Sequence, residues 1–267
     1  MFPIISSRDL RNIIDAIEKG LKTIDLSLDL GLTQTKINLD KQGFYVQEKL
    51  IIPKKIKETD KSCYLIREGG LEKVQYFAEG RLYKLIPTNN RPILQISGTS
   101  MHKKDFLDKL SRDRLRGMVL DSGTGLGYSS IIASKTAQDV ITIEIDENVL
   151  EVAKLNPYSQ ELFKNKNIKS IVGNLVEEIK EFKDKEFDNI IFDAGTVKSS
   201  DAFFSLNNYR EVYRVLKNEG RLYHYLPRHQ IKIGRDFASE IIARLKKAGF
   251  KKIYRNKEGS YIIAEKF

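Results

Sequence analysis

Val119-Leu120-Asp121-Ser122-Gly123-Thr124-Gly125-Leu126-Gly127-Tyr128-Ser129-Ser130 is the stretch whose reading decides the fold. A short apolar run from Met118 to Leu120 ends in an acid, passes through three glycines at alternate positions and leads into Ile131, Ile132 and Ala133. That order predicts a strand, a tight turn and a helix. Glycine reaches positive φ without steric cost and places no Cβ between the backbone and a ligand. The unpaired N–H groups and positive dipole end of the helix favour a bound anion. The loop therefore reads as a seat for a nucleotide cofactor. Tyr128 rather than glycine follows the triplet, unlike the dinucleotide fingerprint. With Asp121 closing the strand, this turns the reading from NAD toward S-adenosylmethionine.

Outward from the loop the sequence alternates strand and helix, the mark of an α/β sheet. Val140 to Ile145 is an almost continuously apolar run, as buried parallel strands are. Further strands are expected at Ile168 to Val172, Phe187 to Asp193 and Arg221 to Leu226, with helices from Asp146, around Tyr209 to Leu216, and from Asp236 to Ala248 with Gly249 as its C-cap. Lys251 to Tyr254 and Tyr261 to Ala264 flank Asn256-Lys257-Glu258-Gly259 and predict a closing antiparallel hairpin. The expected fold is α/β, a Rossmann-like seven-stranded sheet over 97–267.

Upstream the rhythm differs. Ser7-Arg8-Asp9-Leu10 opens an amphipathic helix with Leu10, Ile13, Ile14 and Ile17 on one face, ended by Gly20. Period-two alternation follows in Thr23 to Leu30 and Thr35 to Leu39. Cys63 to Ile66 and Val74 to Phe77 flank Arg67-Glu68-Gly69-Gly70 as a predicted hairpin, and Arg81 to Ile86 is another strand. Residues 1–96 are thus expected to form a small β-rich domain.

An adenosine cofactor on an open α/β sheet lies across the carboxyl ends of the strands at the topological switch. Four strand ends then supply its contacts. They are Asp121, Ser122, Gly123, Thr124, Gly125 and Gly127; Glu144 and Ile145; Asn174 and Leu175; and Asp193. A carboxylate at Glu144 can accept from both ribose hydroxyls, Asn174 can reach the exocyclic amine of adenine, and Leu175 N–H can reach a ring nitrogen. Asp193 and His102 are the candidate catalytic residues, through hydrogen bonding to the acceptor or general-base help. His224 reads as a core residue and His229 as a surface one. Three histidines and one cysteine without ligand spacing predict no metal.

The C-terminal part resembles a class I S-adenosylmethionine-dependent methyltransferase. From about Asp25 onward the chain is similar to a family of predicted archaeal methyltransferases. The likeness is carried by Leu26-Ser27-Leu28-Asp29-Leu30-Gly31-Leu32-Thr33, Gln75-Tyr76-Phe77, Ile96-Ser97-Gly98 with Met101-His102, Asp121 to Tyr128, Glu144-Ile145-Asp146, Leu155-Asn156-Pro157-Tyr158-Ser159 and Gly220-Arg221-Leu222-Tyr223-His224-Tyr225. The resemblance implies S-adenosylmethionine contacts at Gly123, Gly125, Gly127, Glu144 and Asn174. It also implies a proline pair after the strand-end acid, close to the Asp-Pro-Pro-aromatic motif of amino-group methyltransferases. Here the run is Asp193-Ala194-Gly195-Thr196, so Asp193 alone remains to orient a nucleophilic nitrogen.

The chain carries a net charge of +10. From Leu206 to Phe267 there are 15 Lys and Arg against 6 Asp and Glu, a net of +9, so the other 205 residues net +1. A basic C-terminal stretch of this kind suggests an anionic macromolecular partner, RNA foremost. The lone Cys63, the absence of an apolar run of about 18 residues and an N-terminus unlike a signal peptide suit a cytoplasmic protein without membrane contact. A homo-oligomer is compatible with all of this. Two other readings stay open: aminopropyl transfer of the polyamine synthase type, and a non-catalytic relative that binds cofactor or nucleic acid.

Overall fold

The structure, a computed structural model, describes residues 2–68, 70–101, 104–193, 202–226, 236–256 and 260–267. The chain divides into two compact units, Met1–His102 with Glu151–Gln160, and Lys103–Leu150 with Glu161–Phe267.

The first unit opens with β1 (Ile4–Ser6), α1 (Ser7–Glu18), β2 (Thr23–Leu26) and β3 (Thr35–Asn38). There follow β4 (Phe44–Val46), β5 (Lys49–Ile51), β6 (Cys63–Arg67) and β7 (Gly70–Lys73). Next are β8 (Gln75–Ala78), β9 (Arg81–Ile86), β10 (Ile93–Ile96) and β11 (Thr99–Met101). They form small antiparallel sheets, β1-β6-β7, β11-β10-β9-β8, β2-β3 and β4-β5. The helix cap is Ser6 rather than a later residue: its Oγ accepts from Asp9 N–H at 3.0 Å and donates to the Asp9 carboxylate at 2.6 Å. α1 then buries Leu10, Ile13 and Ala16 against Ile37, Phe44 and Tyr64, leaving Ile14 and Ile17 half-buried.

Three expectations for this unit shift. The alternation from Thr23 to Leu30 yields a strand only to Leu26, because side chains then take over the backbone's hydrogen bonding. Ser27 Oγ accepts from Gly31 N–H at 2.6 Å and Asp29 accepts from Thr33 N–H at 2.9 Å, and the chain turns. The hairpin is tighter than expected, since β6 pairs with Gly70–Lys73, register Arg67↔Gly70. Gln75–Ala78 instead pairs with β9. Buried Val74 is the crossing point, bonding Cys63 O through its N–H and Leu85 N–H through its carbonyl. Finally, the unit runs past residue 96, because Ile96 pairs with Thr99 in the β10–β11 hairpin and a cut at 96 would divide a paired turn.

From residue 104 the chain continues with α2 (Lys104–Asp113), β12 (Met118–Asp121), α3 (Tyr128–Ser134), β13 (Asp139–Glu144) and α4 (Glu147–Leu155), inside which the division falls. Then come α5 (Gln160–Lys164), β14 (Ile168–Val172), α6 (Leu175–Glu178), β15 (Phe187–Phe192) and α7 (Leu206–Val215). The chain closes with β16 (Leu216–Tyr225), α8 (Phe237–Ala248), β17 (Lys251–Asn256) and β18 (Tyr261–Glu265). Among the described residues the central sheet has the order β14-β13-β12-β15-β16-β18-β17. It is parallel except where β18 runs antiparallel to both its neighbours. Strand order reverses at β12, between β13 and β15, which is where such sheets open a crevice for ligands. No helix among the described residues is long and apolar enough to cross a membrane.

Two polar devices hold the apolar core together. Lys266, 5% exposed, donates from Nζ to Tyr213 O at 2.6 Å and Leu216 O at 2.7 Å, closing the carbonyl end of α7. His224 is fully buried beside Phe192, Phe204 and Tyr209. A carbonyl can only accept, so Nδ1–H donates to Tyr225 O at 2.8 Å, and Nε2 accepts the Tyr209 hydroxyl at 2.7 Å. Burial disfavours the charged ring and pulls its pKa from 6.5 to about 4. The unfolded chain therefore binds this proton first, and stability falls as pH drops from about 6.5 toward 4, with no further loss from this group below that. Urea unfolding between pH 7.5 and 4.5 is expected to show this slope, and His224→Gln to flatten it; an unchanged slope in the variant contradicts the assignment.

Candidate active site

The glycine loop is stitched to the strands on either side of β12. Ser122 N–H donates to Ile191 O at 2.9 Å on the β15 side, and Thr124 N–H donates to Ile143 O at 3.1 Å on the β13 side. Thr124 and Thr142 share a buried hydroxyl hydrogen bond of 2.7 Å. Asp193 N–H donates to Ser122 Oγ at 2.7 Å, and that hydroxyl lies 3.3 Å from Asp193 O. The carboxyl ends of β12, β13 and β15 are thus fixed to one another by backbone and hydroxyl contacts, before any ligand is considered.

Asp121, fully buried, turns its carboxylate into the protein and accepts from Ser129 and Ser130 hydroxyls, each at 2.6 Å. It anchors the start of α3. Gly127 occupies the N-cap of that helix at φ 79°, and a Cβ there would lie 2.8 Å from Leu162 Cδ2. Gly125 has φ 55°, but a Cβ built on it meets nothing within 4 Å. The two glycines therefore serve different needs, close packing at Gly127 and an open approach to the backbone at Gly125.

Glu144 is 4% exposed, and its carboxylate is held from two sides. Oε2 accepts from Gly125 N–H at 2.8 Å and Oε1 from Asp146 N–H at 3.1 Å. Asp146 is itself buried and accepts from the Asn148 N–H and side-chain amide, both at 3.2 Å. Beside this acid, Ile145 exposes 37% of its surface, an apolar platform next to an anionic acceptor. Gly173 N–H donates to Glu144 O at 2.9 Å, which brings in the end of β14. Asn174 caps α6 through its side-chain oxygen, which accepts from Val176 N–H at 3.1 Å. Leu175, as the first residue of that helix, has no intrahelical carbonyl for its N–H. Asp193 is 2% exposed at the end of β15.

The expected set is therefore gathered at adjoining strand ends, with roles that differ. Glu144, Gly125, Ile145, Asn174 and Leu175 offer a carboxylate, an unobstructed backbone, an apolar surface and amide groups. Asp121, Ser122, Thr124 and Gly127 build the loop from within. His102 and the Ala194-Gly195-Thr196 run lie outside the described residues, as does His229. Asp146, read from sequence only as an acid opening a helix, also props Glu144. The paired Ser129-Ser130 that hold Asp121 lie two and three residues past Gly127, in the first turn of α3, and their only sequence signal is that position.

A family model described as a methyltransferase domain matches residues 116–260. The chain belongs to that family. An uncharacterized protein of the archaeon Methanocaldococcus jannaschii, MJ1233, is 38% identical over 260 residues, covering 91% of this chain and 89% of that protein. Among solved structures, spermidine synthase from Thermotoga maritima is similar at a TM-score of 0.59 and 18% identity, over 72% of both chains. A probable spermidine synthase from Corynebacterium glutamicum gives 0.51 and 13%, over 71% of this chain and 78% of that one. At these identities the two structures share the fold. As a methyltransferase the chain takes S-adenosylmethionine as cofactor. The residues present fit it: the approach over Gly125 is open, a buried carboxylate bonds its N–H, and an exposed isoleucine follows that acid in the chain.

The contrast between the two glycines is testable. Gly127→Ala combines a left-handed backbone with a clash and is expected to cost about 2–4 kcal/mol of stability. Gly125→Ala is expected to cost only ~1–2 kcal/mol but to weaken S-adenosylmethionine binding in calorimetry. Equal effects of both variants on stability and binding contradict this division.

Proposed function

We propose that this methyltransferase acts on RNA, at a nitrogen, with the acceptor oriented by Asp193 and gripped in part by the basic C-terminal surface. The observation that carries the substrate reading is the placement of charge. Lys246, Lys247, Lys251 and Lys252 are all exposed, at the end of α8 and the start of β17, the edge strand of the sheet. Tyr254, 58% exposed, follows Lys252 by two residues on the same strand. Cations that meet phosphates, interleaved with a ring on which a base can stack, are the usual elements of single-stranded nucleic acid binding.

When bound, S-adenosylmethionine supplies a methyl group activated on a sulfonium sulfur. The chain's own residues then have separable tasks. Glu144, prepositioned by Gly125 and Asp146, accepts the ribose hydroxyls, and Ile145 packs on the adenosine. Asn174 and Leu175 meet the adenine edge; the Asn174 oxygen that caps α6 keeps a second lone pair for the exocyclic amine. Gly125 admits the cofactor close to the backbone. Asp193, fixed by Ser122, accepts a hydrogen bond from the acceptor nitrogen and so aims its lone pair. Positioning of this kind, with exclusion of water, is the main contribution a protein makes to such a displacement. Aminopropyl transfer draws on the shared fold alone, and a surface dense in lysine repels a polyamine, so we do not adopt it.

The test is incubation with label in the methyl group of S-adenosylmethionine, offering RNA, DNA and protein fractions separately. Label is expected in RNA; label in protein alone overturns the substrate. RNA affinity is expected to fall roughly 50-fold from ~50 to ~200 mM salt if the four lysines each meet one phosphate. Glu144→Ala should weaken cofactor binding about 10- to 150-fold, the equivalent of ~1.5–3 kcal/mol for hydrogen bonds to a charged acceptor. Unchanged affinity in a calorimetric titration contradicts that role.

A further inference from the structure

A polar cleft of about 220 Å³ lies within the first unit, far in the sequence from the glycine loop. Its walls come from α1, β2 and the turn after it, the turn around Pro87 to Pro92, and Tyr158. Two stretches that the sequence set apart, Leu26 to Thr33 and Leu155 to Ser159, meet here. The first is locked by its own side chains: Ser27 Oγ donates to Asp29 at 2.6 Å, and Asp29 accepts both the N–H and the hydroxyl of Thr33. That turn holds Leu30 at φ 58° and presents Leu30 O to the Tyr158 hydroxyl at 3.3 Å. The second is locked by Asn156, whose side chain accepts from Tyr158 N–H at 3.2 Å and donates to Ser159 Oγ at 2.7 Å. Both serve to hold the Tyr158 ring at the cleft.

The groups facing the cleft define what fits. Arg8 is tied to Asn89 Oδ1 at 2.8 Å and Asp9 to the Ser6 cap. Asn12, Asp25, Gln34 and Asn90 make no side-chain hydrogen bond among the described residues. Amide groups offer donor and acceptor side by side, and a carboxylate accepts from ring N–H and amino groups. This is the complement of a nucleobase edge. The lining carries one cation against two carboxylates, a balance that disfavours phosphate. The volume is below the roughly 300–1,000 Å³ of a drug-sized pocket and suits one planar heterocycle.

We propose that this cleft binds a single unpaired nucleobase of the RNA substrate, edge-read by Asn12, Asp25, Gln34 and Asn90 with Tyr158 as its fixed aromatic wall. The proposal rests on the RNA reading above and makes the first unit a second point of substrate selection.

The test uses the full chain and four fluorescent homopolymer oligonucleotides, read by anisotropy at fixed salt, with the double variant Asn12→Ala, Gln34→Ala. Both residues are exposed and outside the core, so the variant is expected to fold, and its S-adenosylmethionine affinity serves as the check. The wild type should prefer one base, and the variant should lose that preference and bind it roughly 5- to 100-fold more weakly, with the salt dependence unchanged. Wild-type affinity and preference in the variant overturn the cleft assignment and leave the RNA reading standing. A wild type that binds no RNA overturns both. In a further arm, excess mononucleotide of the preferred base should compete with the oligonucleotide. Mononucleotide binding lost in the variant, with RNA binding unaffected, assigns the cleft to free nucleotides and overturns it as an RNA site.

Discussion

A carboxylate taken out of water is costly unless hydrogen bonds replace the ones it loses. Glu144 meets that condition with backbone donors on both sides, Gly125 on one oxygen and Asp146 on the other. The exchange works in both directions. Gly125 is held in its left-handed turn by the acid, and the acid is held in one rotamer by the turn. Around this pair the rest of the site follows: Thr124 bonds β13, Ser122 bonds β15, and Asp121 pins α3 through two serines. Bonds to a charged acceptor are stronger than neutral ones, so this joint is stiffer than a loop of three glycines would otherwise be.

Much of the second unit was legible in the sequence because its inner strands are largely buried and its edge strands keep an apolar residue at each end or a turn signal beside them. Ile168 to Val172 and Met118 to Asp121 appear with their expected bounds, and Gly249 caps α8 at φ 112° as its position past the last apolar residue implied. β16 begins five residues earlier than expected, at Leu216. The register shift opposite Phe187 and Asn189 lets Leu216 pair before the polar Lys217 to Glu219 stretch, which no alternation announces. The first unit was less legible. Its strands run from three to six residues, too short for periodicity to separate them from turns, and at Ser27 and Asp29 side-chain hydrogen bonds end a pattern that looks like strand. Residues 151–160 belong to that unit although they follow β13 of the other, a grouping that only tertiary contact reveals.

For the candidate site, residue types and order marked the acids as strand ends but not the division of labour between them. Asp121 and Glu144 look alike in sequence, each an acid at the end of an apolar run. One turns inward to Ser129 and Ser130, while the other stands beside an exposed Ile145 and an open glycine. The difference lies in which donors reach each acid, and Ser129, Ser130 and Gly125 do so from eight to nineteen positions away. Tyr158 gives the same lesson from the other unit, since its hydroxyl partner Leu30 O is 128 residues distant.

The central claim is that the cofactor is seated where Gly125 and Glu144 are joined. Amide hydrogen exchange of the full chain with and without saturating S-adenosylmethionine measures this directly. Slowed exchange is expected at residues 123–127, 144–146 and 173–175, with the strands of the first unit unchanged. Protection absent from those three segments, or found only in residues 2–101, would contradict it.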